Sequence, residues 1–146
     1  MAVSETDFSE TAGYPGLVFP FFGKLVETGF IQEEKEACGG FPLYGVEGGG
    51  DKVYATFPDG GYFKGIAIRT RFDGLDEGYG AGDAVSVLRK GRIWVRALGE
   101  VVDGQAAYVD TENNGITATS TGTTAISGGT FRSTGSDGSL VVLEII

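Results

Sequence analysis

Glycine interrupts this chain so often that long helices are ruled out: 26 of its 146 residues are glycine, against the roughly 10 that average usage would supply. Each interior helical glycine costs about 1 kcal/mol relative to alanine, and few stretches the length of an ordinary helix lack one. The glycines keep no every-third-residue register and are joined by only 4 prolines, so a collagen-like triple helix is excluded too. The chain is nevertheless 41% hydrophobic and 12% aromatic, too apolar for disorder and sufficient for one packed core. At this length about 68–70% of the unfolded surface can be buried. The expected fold is all-β: a small antiparallel β-barrel or sandwich with Gly-rich turns and an irregular N-terminal arm.

Charge and residue inventory remove several functions. Eleven basic against twenty acidic residues leave a net charge of −9, which repels a phosphate backbone, so nucleic acid is not an expected partner. With no histidine in the chain, His-based triads and His-containing zinc sites are excluded. Cys38 is the only cysteine; it can form no intrachain disulfide and is read as a small structural residue. The start is acidic where a secretory signal is basic, and the apolar stretch Leu17 to Phe22 is short and broken by Pro20. No segment approaches the 18 or more apolar residues of a membrane-spanning helix. A soluble protein without an export tag or a membrane partner is expected.

The acidity is uneven. Through Asp51 there are nine acidic and two basic residues, and the remainder of the chain carries eleven acids and nine bases. The same N-terminal third holds Tyr14, Phe19, Phe21, Phe22, Phe30, Phe41 and Tyr44, separated by Gly and Pro without a sustained period of 2 or 3.6. This divides the chain into an extended, acidic, aromatic segment over residues 1–50 and a β-barrel domain over 51–146.

From Lys52 onward the turn signals become regular. Lys52 to Phe57 reads as a strand, Pro58-Asp59-Gly60-Gly61 as a tight turn, and Tyr62 to Arg71 as the returning strand, with Ile66 and Ile68 on one face. Gly65 within it marks a bulge or a close backbone approach. After a loop from Phe72 to Gly82, the segment 83–96 reads as a hairpin. A three-residue loop Arg89-Lys90-Gly91 would pair Val87 with Ile93 and Val85 with Val95 on one aliphatic face; a two-residue loop would split them. The opposite face would carry Ser86, Leu88, Arg92, Trp94 and Arg96. Tryptophan between arginines is the composition of an interface hot spot, and equally of a ring that covers a barrel end under a stacked guanidinium. Further on, Gln105 to Asp110 is a strand and Asn113-Asn114-Gly115 a turn. The tract Thr117 to Ser139 holds twelve Ser or Thr and reads as a solvated loop or edge strand. Leu140 to Ile146, apolar on both faces with Glu144 its only charge, reads as a central strand or one covered by a neighbouring subunit.

Motifs that would carry chemistry fall short of their requirements. Gly78-Tyr79-Gly80-Ala81-Gly82 lacks the spacing and the following helix of a phosphate loop. Asp110 to Gly115 matches the first half of an EF-hand loop, but Thr121 stands where the bidentate Glu belongs, leaving at most a loose surface calcium site. Asp73, Asp76 and Glu77 supply carboxylates for glycoside cleavage without any sign of a cleft. No cofactor, no metal and no enzymatic activity are expected.

The order of the β motifs carries a resemblance. Gly82-Asp83-Ala84-Val85-Ser86-Val87-Leu88-Arg89-Lys90-Gly91-Arg92-Ile93-Trp94-Val95 is followed by Gly104 with Ala107-Tyr108-Val109-Asp110. Then come Ile126-Ser127-Gly128-Gly129-Thr130-Phe131-Arg132-Ser133 and Gly138-Ser139-Leu140-Val141-Val142-Leu143. With the strand Gly65-Ile66-Ala67-Ile68, this series, over roughly residues 60 to 146, resembles the structural cement or decoration proteins of tailed-bacteriophage capsids. The resemblance implies a non-enzymatic virion protein, often a homotrimer, on the outer capsid surface. It would bind the major capsid protein, bridge neighbouring capsomers and join the shell in the host cytoplasm. The residues expected at a capsid or subunit interface are Tyr14, Phe19, Phe21, Phe22, Arg92, Trp94 and Arg96; the aromatic four have the alternative of closing one end of their own barrel. A carbohydrate-binding or adhesion β-module, with Tyr79 or Trp94 as a stacking platform, is the alternative function.

Overall fold

The computed structural model describes residues 14–19, 23–32, 39–69 and 81–146. Nine strands and no helix are found among them: β1 (Leu25–Ile31), β2 (Pro42–Val46), β3 (Lys52–Val53), β4 (Gly61–Ala67), β5 (Ala84–Arg96), β6 (Ala106–Asp110), β7 (Gly115–Thr117), β8 (Thr124–Phe131) and β9 (Leu140–Ile145). They form one sheet in which every strand pairing except β1 with β3 is antiparallel, so the all-β expectation holds.

The sheet curls into two small rings that share β5. In the first, β5 pairs with β1 on one edge and β4 on the other, since Leu88 faces both Val26 and Ile66. β4 continues to β2, β1 to β3, and the circuit closes where Tyr44 and Tyr54 exchange two backbone hydrogen bonds of 2.9 Å. In the second ring β5 pairs with β9, then β8, β6 and β7. It closes through a parallel bridge between Ala97 and Ile116, with Leu98 N–H donating to Ile116 C=O. Ring closure satisfies backbone groups that an open sheet would leave at its edges.

Each ring has its own core. Ile31, Leu43, Val53, Ala55, Ala67, Val85 and Val87 fill the first. The second, larger core contains Ile93, Val95, Val109, Phe131, Val141 and Leu143, and it also receives Tyr44, Ile66 and Leu88 from the outer side of the first ring. Tyr44 is fully buried and donates its hydroxyl hydrogen to Asn114 Oδ1 at 2.8 Å, pinning the β6–β7 turn to the first ring. Burial, and then the nearby Asp110 carboxylate, push its phenol pKa up.

Residues 84–96 are therefore not a hairpin but one strand of 13 residues. The hairpin register rested on gathering all the aliphatic side chains on one face. The chain instead sends Val85 and Val87 into the small core, and Leu88, Ile93 and Val95 into the large one. The change of side-chain parity follows from a bulge: Val26 faces Leu88 while Leu25 faces Lys90, leaving Arg89 as the extra residue. Gly91, expected in a turn, lies within the strand at φ +131°, where an added Cβ would stand 3.1 Å from Lys24 Cβ. Gly128 and Gly129 likewise lie inside a strand, β8.

Other boundaries shift for similar reasons. The N-terminal third is not uniformly irregular: β1 and β2 belong to the first ring. Their partners lie far along the chain, and Gly29, Pro42 and Gly45 hide the alternation. The strand expected over 52–57 reduces to β3 and the Tyr54 bridge, while 62–71 reduces to β4 among the described residues. The turn at 58–61 forms, with Gly61 N–H bonded to Pro58 C=O. Gly65 is the close approach expected of it: an added Cβ would stand 2.5 Å from both Leu88 O and Val87 Cγ1. The Ser/Thr tract supplies β8, and Leu140–Ile145 is central, between β5 and β9's other neighbour β8.

Candidate interface

The upper half of β5 meets β9 in three cross-strand pairs on one outer face: Arg92 with Glu144, Trp94 with Val142, and Arg96 with Leu140. On its other edge β5 carries the segment Tyr14–Phe19. Gly16 N–H donates to Trp94 C=O (2.8 Å), Trp94 N–H to Leu17 C=O (3.0 Å), and Phe19 N–H to Arg92 C=O (3.0 Å). Val18 pairs with Ile93, which faces Leu143 on the opposite side. A sequence segment separated by some 75 residues is thus held as a short additional strand.

This pairing decides the surroundings of Trp94. Phe19 stacks on it with ring centroids 5.7 Å apart and planes inclined by 30°. Leu17 packs with Phe19 over Trp94, Leu140 and Val142, and Trp94 is only 7% exposed. Two of the expected interface aromatics therefore touch each other within the chain. Tyr14 lies under the Arg69 guanidinium, 5.7 Å from its ring centroid. Phe21 and Phe22 lie outside the described residues.

The arginines are engaged as well. Arg92 Nε donates to Glu144 Oε2 at 2.6 Å, and Arg132 Nε to Glu144 Oε1 at 2.9 Å. Glu144 is the one charge in β9, and its place between two guanidiniums holds its carboxyl below the usual carboxylate range; the bond from Arg92 is the largest cause. Arg96 Nη1 donates to Gly138 C=O at 3.0 Å. Sequence reasoning singled out Arg92 and Arg96 but missed Arg132 and Glu144. A lone Glu in an otherwise apolar strand was the available signal that a cation must face it.

The Asp110–Gly115 motif resolves into turn chemistry. Asp110 Oδ1 accepts from the N–H groups of Glu112 and Asn113, and Oδ2 accepts from Asn113 Nδ2. These bonds, the one from the Asn113 side chain foremost, lower the carboxyl pKa. Asn114 holds φ +54°, and the loop is shaped by its own residues. No cluster of three or more metal-binding side chains occurs among the described residues. Cys38, Asp73, Asp76, Glu77, Tyr79 and Gly78 to Gly80 lie outside them.

Two adjoining grooves open beside the C-terminal strand. One, of about 620 Å³, runs between Tyr62, Lys64, Arg89, Ala125 and Ile145. The other, of about 370 Å³, is lined by Lys24, Leu25, Lys90, Arg92 and Glu144. Lys90, Ile145 and Ile146 line both. Five of the chain's eleven basic residues thus border one region of a molecule whose net charge is −9.

No curated protein matches the sequence. Among solved structures, a chain of the capsid of Myoviridae phage XM1 superposes with a TM-score of 0.70 at 13% identity, covering 90% of this chain and 89% of that one, which shows a common fold. The head fibre gp8.5 N base of bacteriophage phi29 gives a TM-score of 0.45 at 16% identity over 85% of this chain and 95% of that one, too low to carry an argument. The family model for the structural cement protein (E217 gp24/Pam3 gp6) matches residues 5–146. A nine-stranded double ring matched over nearly its whole length in this way belongs to the structural cement protein family of phages.

Proposed function

We propose that this protein binds the outer surface of a phage capsid as a homotrimer, contacts the major capsid protein and stabilises neighbouring capsomers without catalysing a reaction. The family match over residues 5–146 is the observation that carries this reading. The architecture is compatible with it: two ring interiors are filled by apolar side chains, which leaves a rigid body whose outer surface is available for contacts. On this reading the protein works without nucleic acid or membrane and joins the shell in the host cytoplasm.

The energetic role is mass action. A protein that binds only the assembled lattice stabilises it by RT ln(1 + [L]/Kd) at each site, and the effect repeats over the shell. Three linked contacts in a trimer add avidity. The carbohydrate-binding alternative loses one of its two platforms, because Trp94 is covered by Phe19.

The test is shell rupture. Capsids stripped of the protein should break at a lower temperature than decorated ones and regain the difference when purified protein is added back. Equal rupture temperatures before and after complete stripping would refute the reading. The solution mass tests the trimer separately: three chains of 15.2 kDa give about 45.6 kDa.

A further inference from the structure

One end of the larger ring is acidic, and the groove at its other end is basic. The acidic end consists of residues 97–104 and 133–139, joined where Val101 and Gly135 exchange backbone hydrogen bonds of 2.9 and 3.0 Å. These two loops hold three carboxylates, Glu100, Asp103 and Asp137, and no base. Asp137 accepts a bond from Gly99 N–H at 2.8 Å, whereas Glu100 and Asp103 have no ion-pair partner among the described residues. Between them stands Val102, 52% exposed. The tip is held in shape by its own bonds. Gln105 N–H donates to Val102 C=O (3.0 Å), Val102 N–H to Gln105 Oε1 (2.7 Å), and Asp103 N–H to Thr134 Oγ1 (3.1 Å). A turn fixed in this way loses little freedom when it docks.

The smaller groove, of about 370 Å³, has the opposite chemistry. It lies where β5 changes neighbours, since Leu88 faces Ile66 of β4 and Gly91 faces Ile145 of β9. Lys24 and Lys90 line it, and neither has an ion-pair partner among the described residues. Leu25, which faces Lys90 from β1, adds an apolar wall that is 47% exposed. Glu144 is the one carboxylate side chain in the lining, and it is already held by Arg92 and Arg132. The groove thus offers two ammoniums beside an apolar wall, and the tip two carboxylates around an apolar side chain.

We infer that the tip at residues 100–103 of one copy docks in the groove of the next, with Val102 against Leu25 and the Glu100 and Asp103 carboxylates over Lys24 and Lys90. This rests on the homotrimer proposed above and names the contact that builds it. A tip cannot enter the groove of its own chain. β9 runs from Leu140, next to Ser139 whose C=O accepts from Ala97 N–H at the acidic end, to Ile145 in the groove, and its length of about 17 Å keeps the two apart. Two copies that each carry a charge of −9 repel one another as bodies, so a contact between them is favoured where the sign reverses locally. Because the two patches differ, the contact runs head to tail. In a closed ring of three, every groove is filled and every tip is used, whereas an open chain leaves one of each bare.

Sedimentation velocity of the full chain over a dilution series tests the inference. The parent should sediment as a trimer of about 45.6 kDa, three chains of 15.2 kDa. Reversing the groove (Lys24→Glu with Lys90→Glu) or the tip (Glu100→Lys with Asp103→Lys) should each raise the midpoint concentration for dissociation at least about a hundredfold. The far-UV spectrum and melting transition should persist, and either reversal suffices if the other does not fold. Replacing two acids by two bases moves the net charge of the tip variant from −9 to −5, so general repulsion alone would tighten that trimer. All four substitutions in one chain should return the midpoint to within about tenfold of the parent, because each groove again meets a tip of opposite sign. Lys52→Glu, beside Phe30 at the far end of β1, should leave it unchanged. A parent of 15.2 kDa at every concentration would overturn both the homotrimer and this contact. A trimer that persists in a folded reversal, or that fails to return in the folded fourfold variant, would overturn the contact and leave the homotrimer standing. Capsid co-sedimentation reads the function separately: reversals that stay trimeric and lose capsid binding would assign these patches to the lattice subunit and overturn the inference.

Discussion

Replacing Gly65 by alanine should open the first ring. A Cβ on Gly65 would lie 2.5 Å from Leu88 O and 2.5 Å from Val87 Cγ1. An ordinary carbon–oxygen contact needs about 3.3 Å, so β4 must move away from β5 by roughly 0.8 Å. Leu88 O belongs to the backbone of a strand paired on both sides, so a rotamer change gives no relief. The shift falls on the two register pairs that join β4 to β5, Ile66 with Leu88 and Ala67 with Val87. Overpacking of this kind costs about 1–3 kcal/mol, and a weakened ladder bond adds about 0.5–1.5 kcal/mol. For a domain of this size about 2–4 kcal/mol corresponds to a fall of roughly 5–15 °C in Tm. Differential scanning calorimetry of Gly65→Ala beside Gly104→Ala checks the reasoning. Gly104 has φ +93° and open space at its Cβ position, so only backbone strain of about 1–2 kcal/mol applies there. A Gly65→Ala protein that melts within about 2 °C of the parent would show that the approach of β4 to β5 is not constrained as described.

Trp94 is the only tryptophan in the chain, so its fluorescence reports on the Phe19 cover. Phe19→Ala should shift the emission to the red and cost about 1–2 kcal/mol of stability, less than a fully buried Phe, whereas an unshifted spectrum would mean that Phe19 does not shield the indole. Tyr44→Phe removes the bond to Asn114 from a buried site and should cost about 1–2 kcal/mol by chemical denaturation; unchanged stability would deny that the bond pins the two rings. Glu144→Gln should cost about 1–2 kcal/mol at neutral pH, because it weakens two partly exposed charge-assisted bonds. A carboxyl held below its unfolded pKa contributes stability that is complete above the usual carboxylate range and is lost as pH falls through the lowered folded value. The gap between parent and Glu144→Gln should therefore narrow on acidification below about pH 4, and a gap that widened would contradict the assignment.

Several features were legible because a short stretch of sequence dictates them. Asn113-Asn114-Gly115 makes its turn through Asp110 and the left-handed Asn114. Pro58 to Gly61 turns on its own backbone bond. Leu140–Ile145 had to be central because no arrangement with one wet face would bury both of its apolar sides. Gly65 marked a close approach because a strand interior has few other uses for a residue without a side chain.

What eluded sequence reasoning depended on distant partners. Val85, Val87, Ile93 and Val95 suit one face of a hairpin as well as two cores of a single strand. Only the presence of β1 and β4 beside the first half, and of β9 beside the second, selects between them. Trp94 between arginines has the composition of an exposed anchor, and became covered because Leu17–Phe19 bonds to the backbone of β5. Arg92 reads as a free cation until Glu144 and Arg132 are placed beside it. The sequence by itself thus determined an all-β chain, its local turns and its central strand, since glycine content, turn residues and hydrophobic runs act over a few neighbours. Tertiary structure alone decided the double ring and the cover over Trp94, because pairing between remote strands sets which backbone groups and apolar faces meet within the chain.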